Sequence, residues 1–204
     1  MKRLRKLIKP ALIITLLGVC LFLWGCMQGP RINEAPLPEG WPELTPVDEI
    51  QVKQYPVYRA AVISDETDGS QNGMFRPLFN HIQRKDIAMT APVEMTYNGK
   101  SQSSMAFLYR TTDMGTLGSD VDDERVVVKD IAEQTAVSIG VRGRYNDENY
   151  NEALDKLNAW LEDNKDQWQP AGEPRFLGYN SPFVPGFMRY GEVQMPVEPA
   201  DQAE

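Results

Sequence analysis

The sequence predicts an α+β fold, and two patterns of apolar residues predict it. Two segments repeat apolar side chains at helical spacing, while the segments around them are short, rich in Val, Tyr and Ala, and in part strictly alternating. Each amphipathic helix can cover one face of an antiparallel sheet, which is the arrangement of α+β domains. About 150 residues after residue 46 carry these patterns, and this is the size of one domain.

The first helix is predicted over residues 74–84. Proline is tolerated in the first turn of a helix, so the regular helix should begin close to Pro77. The apolar face of this helix consists of Met74, Phe75, Leu78, Phe79 and Ile82.

The second helix is the clearest element. Asn146 can cap it, and Asp147 and Glu148 suit the positive end of the helix dipole. The helix should end near Asn164. Its apolar stripe consists of Tyr150, Ala153, Leu154, Leu157, Trp160 and Leu161.

Strands are predicted on both sides of each helix. The dipeptide Asn98-Gly99 is a strong signal for a hairpin. Residues 115–124 form a polar, acidic loop, whose carboxylates Asp122, Asp123 and Glu124 are expected to be solvated. The predicted strand regions are 52–63 (divided by Pro56), 93–97, 104–110, 126–131, 135–142, 175–179 and 189–195.

The first 26 residues have the features of a signal peptide. A basic start precedes an apolar run of 14 residues (11–24), shorter than the roughly 20 that a membrane span needs. The run ends in Gly25-Cys26, which looks like a bacterial lipoprotein processing site. We therefore expect Cys26 to be lipidated and the protein to be anchored in the cell envelope, facing the periplasm, in the outer membrane if the cell is Gram-negative. An uncleaved N-terminal membrane anchor is the alternative.

The composition of the processed chain limits its chemistry and its partners. The full chain has two cysteines, Cys20 and Cys26, both in the leader region. Cleavage before Cys26 would leave one cysteine, already lipidated, so no disulfide is expected in the mature chain. Cleavage would leave 16 basic and 29 acidic residues, and so acidic a surface argues against nucleic acid. Residues 27–46 contain five prolines and are expected to form an extended tether, and residues 198–204 a disordered tail.

Two stretches resemble the SOUL haem-binding protein family over residues 47–197. Residues 89–93 read Met-Thr-Ala-Pro-Val, and the C-terminal part carries Tyr179-Asn-Ser-Pro182 and then Arg189-Tyr-Gly-Glu192-Val193. The resemblance implies a distorted antiparallel β-barrel with two helices in pseudo-twofold βαβββ repeats, similar to effector-binding domains. It also implies non-covalent binding of haem or another porphyrin, in a carrier or buffer role.

No motif in the sequence indicates catalysis. There is no Gly-rich phosphate loop, no Cys/His metal spacing, and neither G-x-S-x-G nor H-E-x-x-H. The interpretation is therefore a binding protein and not an enzyme. The alternatives are a binding module for other apolar small molecules, an enzyme acting on tetrapyrroles, or a structural envelope lipoprotein.

His81, the only histidine, lies near the edge of the apolar face of the first helix. It is expected either to be a partly exposed polar residue or to act as an axial ligand of haem iron. Met89 is similarly either a core residue or an iron ligand. The apolar loop 183–188 can fold into the core or lie over a cleft and hold a flat macrocycle. The candidate haem-binding residues are Arg76, His81, Lys85, Met89, Phe183, Phe187 and Arg189, with the three basic side chains meeting the propionates.

Overall fold

The computed structural model describes residues 35–64, 71–98 and 101–200. The predicted signal peptide with Cys26, the first part of the predicted tether, Gly99 of the predicted hairpin turn and residues 201–204 lie outside these ranges.

The described chain contains two α-helices and ten strands. The helices are α1 (Gln71–Arg84) and α2 (Asp147–Asp163), and a short 3-10 helix covers Gly186–Met188. The strands are β1 (Ile50–Tyr55), β2 (Tyr58–Ser64), β3 (Val93–Asn98), β4 (Ser101–Leu108), β5 (Gly118–Ser119), β6 (Val127–Ile131), β7 (Gln134–Arg142), β8 (Trp168–Pro170), β9 (Arg175–Gly178) and β10 (Tyr190–Pro199).

All ten strands belong to one antiparallel sheet, which confirms the predicted α+β class. The strand order is β1-β7-β10-β9-β3-β4-β2-β6-β5, with β8 beside β10. Within the described residues β1 and β5 end this order without pairing with each other, so the predicted distorted barrel is an open one.

The sheet consists of two similar halves that meet between β3 and β9. Counting outwards from this joint, β3, β4, β2 and β6 on one side match β9, β10, β7 and β1 on the other. The joint itself is short, with four paired positions running from Val93 opposite Gly178 to Thr96 opposite Arg175. The pseudo-twofold arrangement expected from the resemblance is therefore present, although β1 comes from the N-terminal end of the chain.

Both helices lie on one face of the sheet, which we call the helix face. α1 contacts β2 and β4, and α2 contacts β7 and β10. The predicted cap of α2 is confirmed, because the Asn146 side chain accepts a hydrogen bond from the Asn149 amide at 3.1 Å. Its stripe is buried against the sheet through Tyr150, Ala153, Leu157 and Leu161.

α1 starts earlier than predicted. It begins at Gln71 and keeps Pro77 in its interior. A proline at this position removes one helical hydrogen bond. The fully buried Met74 and Leu78, which pack on the sheet, stabilise the helix through this interruption.

The opposite face is covered by an irregular segment, residues 35–49, which we call the strap. Trp41 and Leu44 are buried in it, and Thr45 is fully buried. The prediction of a free tether is therefore wrong from Ala35 onwards, because proline content predicts an extended backbone but not whether apolar side chains pack. The expected disordered tail also begins later, since β10 continues to Pro199.

Candidate functional site

Two phenylalanines that are largely exposed lie in the connection between β9 and β10, residues 181–189, which we call the aromatic loop. Phe183 is 93% exposed and Phe187 is 74% exposed. Val184 between them is buried. The alternative that this loop folds into the core is thus wrong for both phenylalanine rings, which face solvent.

Guanidinium groups hold the aromatic loop in shape. Arg189 donates from Nε to the Val184 carbonyl at 2.9 Å and from Nη2 to the Pro182 carbonyl at 2.6 Å. Its guanidinium also lies 5.5 Å from the centre of the Tyr145 ring. Arg142 at the end of β7 donates to the Met188 carbonyl at 3.2 Å. Arg189, expected to meet a propionate, therefore already serves the loop itself.

A second arginine of the β7–α2 connection lies against the same loop. A Cβ atom built on Gly186 would stand 2.7 Å from Cγ of Arg144, so the Arg144 stem packs directly on the 3-10 helix. Arg142 and Arg144 are both exposed. The structure thus places exposed positive charge beside the exposed phenylalanines. Sequence reasoning missed these two residues because they lie some 40 positions earlier in the chain; their only signal is the alternation Arg142-Gly143-Arg144.

The remaining basic candidates and Met89 belong to the other half of the sheet. Arg76 and Lys85 are exposed on α1 and just after it. The Lys85 ammonium lies 3.8 Å from Oδ1 of Asp120. Met89 is half-buried and packs against the core of the helix face. The structure therefore gathers the candidates into two groups, one on the aromatic loop and one around α1.

His81 is buried, with 3% of its surface exposed, so the expectation of a partly exposed residue is wrong. Its Nδ1 lies 2.8 Å from Oδ2 of Asp120, and its Nε2 lies 2.7 Å from the Tyr109 hydroxyl. Both ring nitrogens are thus engaged, and iron ligation would require one of these hydrogen bonds to break. As arranged here, His81 does not fit the role of axial ligand.

Asp120 is the buried carboxylate to which His81 is hydrogen-bonded. Its carboxylate also accepts a hydrogen bond from Nη2 of Arg84 at 2.7 Å. Burial disfavours ionisation of Asp120, but the hydrogen bonds from His81, Arg84 and the Asp122 amide outweigh it and lower the pKa of Asp120 to about 2. Unlike its neighbours in the acidic loop, Asp120 is a buried structural carboxylate.

We expect Asp120→Asn to lower the free energy of unfolding at pH 7 by about 2 kcal/mol. Because the folded-state pKa is depressed, this stabilisation is complete above the ordinary carboxyl pKa of 3.8 and is lost as the pH falls towards 2. Urea unfolding of the wild type and the variant at pH 7 measures the loss of stability, and the same comparison at pH 2.5 measures how much of the difference remains. The exposed Glu124→Gln is the matched control, and equal stability losses in the two variants would contradict the assignment.

A buried ionic network lies between the sheet and the strap. Lys53 and Glu192 form a salt bridge at 3.1 Å, and Arg175 and Glu94 form another at 3.2 Å. Glu192 is completely buried. Its further hydrogen-bond donors are the Thr45 amide and the side chains of Tyr55, Ser138, Tyr190 and Gln194. The sequence offered one signal for this network, since Glu192 is the glutamate of the C-terminal motif.

A cleft at the surface of the described domain does not suit a macrocycle. It has a volume of about 310 Å³, near the lower end of ordinary ligand pockets, and lies between the strap and the ends of β2 and β4. Polar and charged residues dominate its lining, among them Glu39, Arg59, Arg110 and Asp113. In the described ranges no group of three His, Cys, Asp or Glu side chains is placed to hold a metal ion.

The family model described as SOUL heme-binding protein matches residues 42–196, which is most of the chain. The chain belongs to the SOUL family. Membership in this family implies binding of haem or another tetrapyrrole, and the family is one of binding proteins. The match begins one residue after Trp41, so the first part of the strap lies outside it.

Solved structures agree with the family on the fold. The C-terminal domain of EcmrR superimposes with a TM-score of 0.57 at 16% identity, covering 74% of this SOUL-family chain and 97% of that domain. A hydrolase from Listeria innocua superimposes with a TM-score of 0.54 at 11% identity, covering 76% and 94%. At such identities the likeness concerns the fold alone. No curated protein matches the sequence significantly.

Proposed function

We propose that this SOUL-family protein binds haem or a related tetrapyrrole non-covalently on the aromatic loop and acts as a carrier or buffer without catalysis. The observation that carries the proposal is the pair of exposed rings, Phe183 and Phe187, beside the exposed guanidinium groups of Arg142 and Arg144. A porphyrin is a flat apolar ring with carboxylates at one edge. It needs this combination of apolar contact and positive charge.

The exposed phenylalanine rings supply apolar contact area for the ligand. Phenylalanine is seldom left almost fully exposed, and clustered exposed apolar groups commonly mark binding surfaces. Each square ångström of apolar surface covered by a ligand contributes roughly 25 cal/mol. Because Arg189 and Arg142 fix the loop backbone, the two rings are presented without a large ordering cost on binding.

The arginines supply selectivity for an anionic ligand. The whole chain has a formal net charge of −8, so a carboxylate-bearing ligand is repelled by most of its surface. Arg142 and Arg144 reverse this locally. The two arginines therefore favour an anionic tetrapyrrole over an uncharged amphiphile. The phenylalanines alone would bind both kinds of ligand equally well.

The test is a titration with haem and with iron-free porphyrin. Since both nitrogens of His81 are engaged, we expect iron-free porphyrin to bind within about tenfold of haem, a difference of some 1.4 kcal/mol. Haem affinity should change only modestly in His81→Ala. Absorbance in the Soret region and quenching of porphyrin fluorescence measure the two constants. A histidine-ligated haem spectrum that disappears in His81→Ala would contradict this expectation, and failure of both ligands to bind would overturn the proposed function.

Export and lipid anchoring form the second part of the proposal. The support is the basic start, the apolar run and Gly25-Cys26 in the sequence. In the described part of the chain no helix is long and apolar enough to span a membrane.

We expect Cys26→Ala to accumulate as an uncleaved, unacylated precursor, whereas the mature protein should resist extraction by salt because several acyl chains anchor firmly. Mass spectrometry of the membrane fraction measures both, with Cys20→Ala as the matched control. An unlipidated full-length chain as the normal product would contradict the anchor.

A further inference from the structure

Residues 35–45 of the strap form no strand ladder, whereas residues 46–49 are bonded to β7 by the Asp48 amide on the Gly140 carbonyl at 2.8 Å and by a bridge between Val47 and Gly140. The strap is therefore held to the sheet backbone mainly at its C-terminal end. Four of its residues are prolines, which cannot donate a backbone hydrogen bond. Its backbone contacts include the Glu39 amide on the Arg110 carbonyl at 2.8 Å and the Ala91 amide on the Pro36 carbonyl at 3.0 Å. Residues 35–45, which are held by few backbone bonds, are a candidate for local opening at a free energy below that of global unfolding.

Trp41 is the main anchor of the strap, and it sits in a box of tyrosines. Its ring lies edge-on to Tyr55 and Tyr58, with centroid distances of 4.8 and 5.2 Å. Its indole Nε1 donates to the Tyr179 hydroxyl at 3.2 Å. A flat aromatic group is thus recognised by aromatic edges and by one hydrogen-bond acceptor, as a bound heterocycle would be.

The floor of this box is polar but electrically balanced. Lys53 and Arg175 are paired with Glu192 and Glu94, so two cations face two anions. The strap introduces no charge through Trp41 or Thr45. Trp41 donates an N–H to the Tyr179 hydroxyl and Thr45 donates its amide to Glu192, while Thr45 also accepts from Nζ of Lys53 at 3.2 Å and from the Tyr190 hydroxyl. A molecule that replaces the Trp41 side chain must reproduce its one N–H donor and needs no net charge.

We propose that the face opposite the helices is a second ligand site, which the strap covers and the Trp41 side chain occupies. When the strap lifts, the tyrosine box takes a small, neutral, planar aromatic molecule that carries a ring N–H. This site is separate from the aromatic loop and does not depend on the proposed tetrapyrrole function. Ligand binding there releases residues 35–45 from the sheet.

The probe is indole, the group that Trp41 itself places in the box. In the full-length chain, Trp41→Ala should bind indole at least tenfold more tightly than the wild type, because the Trp41 side chain no longer competes for the site. Trp160→Ala is the matched control, since Trp160 is a half-buried tryptophan of α2 that packs on the helix face. Its affinity for indole should stay within about twofold of the wild type. Calorimetric titration measures all three constants.

Hydrogen exchange in the wild-type chain tests the opening directly and does not depend on any variant folding. Saturating indole should raise the exchange rates of the Glu39 and Thr45 amides severalfold, because the strap leaves the sheet. The Tyr109 amide, bonded to the Arg59 carbonyl at 2.8 Å, should be unaffected. Unchanged exchange of the strap amides, absence of indole binding to the wild type, or equal affinities of Trp41→Ala and Trp160→Ala would each overturn the proposal.

Discussion

Lys53→Met is expected to lower the free energy of unfolding by about 3–5 kcal/mol, because it leaves the carboxylate of Glu192 buried without its cation. Glu192 is fully buried, so water cannot replace the lost ammonium group. The donors that remain, among them the Thr45 amide and the Ser138 hydroxyl, solvate the carboxylate but do not neutralise it. Denaturant unfolding at pH 7 measures the loss.

The matched control for this variant is Lys156→Met on α2. Lys156 pairs with Glu152 and Asp48, yet its side chain is 46% exposed and those of both partners more so. An exposed pair of this kind contributes about 0–1 kcal/mol, so its loss should be small. A loss below 1 kcal/mol for Lys53→Met would show that the salt bridge under the strap does not stabilise the fold.

The double variant Phe183→Ala/Phe187→Ala is expected to weaken tetrapyrrole binding about 10- to 100-fold. Covering even half of each ring contributes about 1 kcal/mol or more per residue, and 1.4 kcal/mol corresponds to a factor of ten. Stability should be almost unchanged, because both rings are largely exposed in the free protein. Porphyrin titration measures the affinity, and circular dichroism confirms that the helices are retained.

The control for the double variant is Leu117→Ala/Val121→Ala in the acidic loop. These residues are also exposed, at 54% and 86%, but they lie in the other half of the sheet. The control should bind porphyrin like the wild type. Wild-type affinity in the phenylalanine double variant would place the ligand elsewhere on the protein.

The regular elements could be predicted from the sequence because their signals are local. The stripe of α2, its Asn146 cap and the alternation of β7 depend on residues within one element. The alternation did not show that both faces of β7 are buried, with Ala136 and Ser138 lying under the strap. That burial depends on a segment about 90 residues earlier in the chain, and no local pattern reports it.

The site was less predictable for the same reason. Phe183 and Phe187 stand out in the sequence, but whether they face the core or solvent depends on Arg142 and Arg189 holding the loop. Asp120 is one carboxylate among several in an acidic loop. Asp120 differs from the other carboxylates of this loop because it is hydrogen-bonded to His81 and Arg84 of α1, and these contacts are visible only in the folded structure.

The position of β1 makes the two halves of the domain inseparable along the chain. β1 precedes the first half in sequence, yet it pairs with β7 through six positions and forms the outer strand of the second half. If the chain were cut in the β6–β7 turn, we expect the two fragments to stay associated. β1 of the N-terminal fragment would remain paired with β7 of the C-terminal fragment. Neither half can be excised as an autonomous module: the second, expressed alone, would expose the bonding edge of β7. We therefore expect the domain to unfold as one cooperative unit, although its architecture is a repeat.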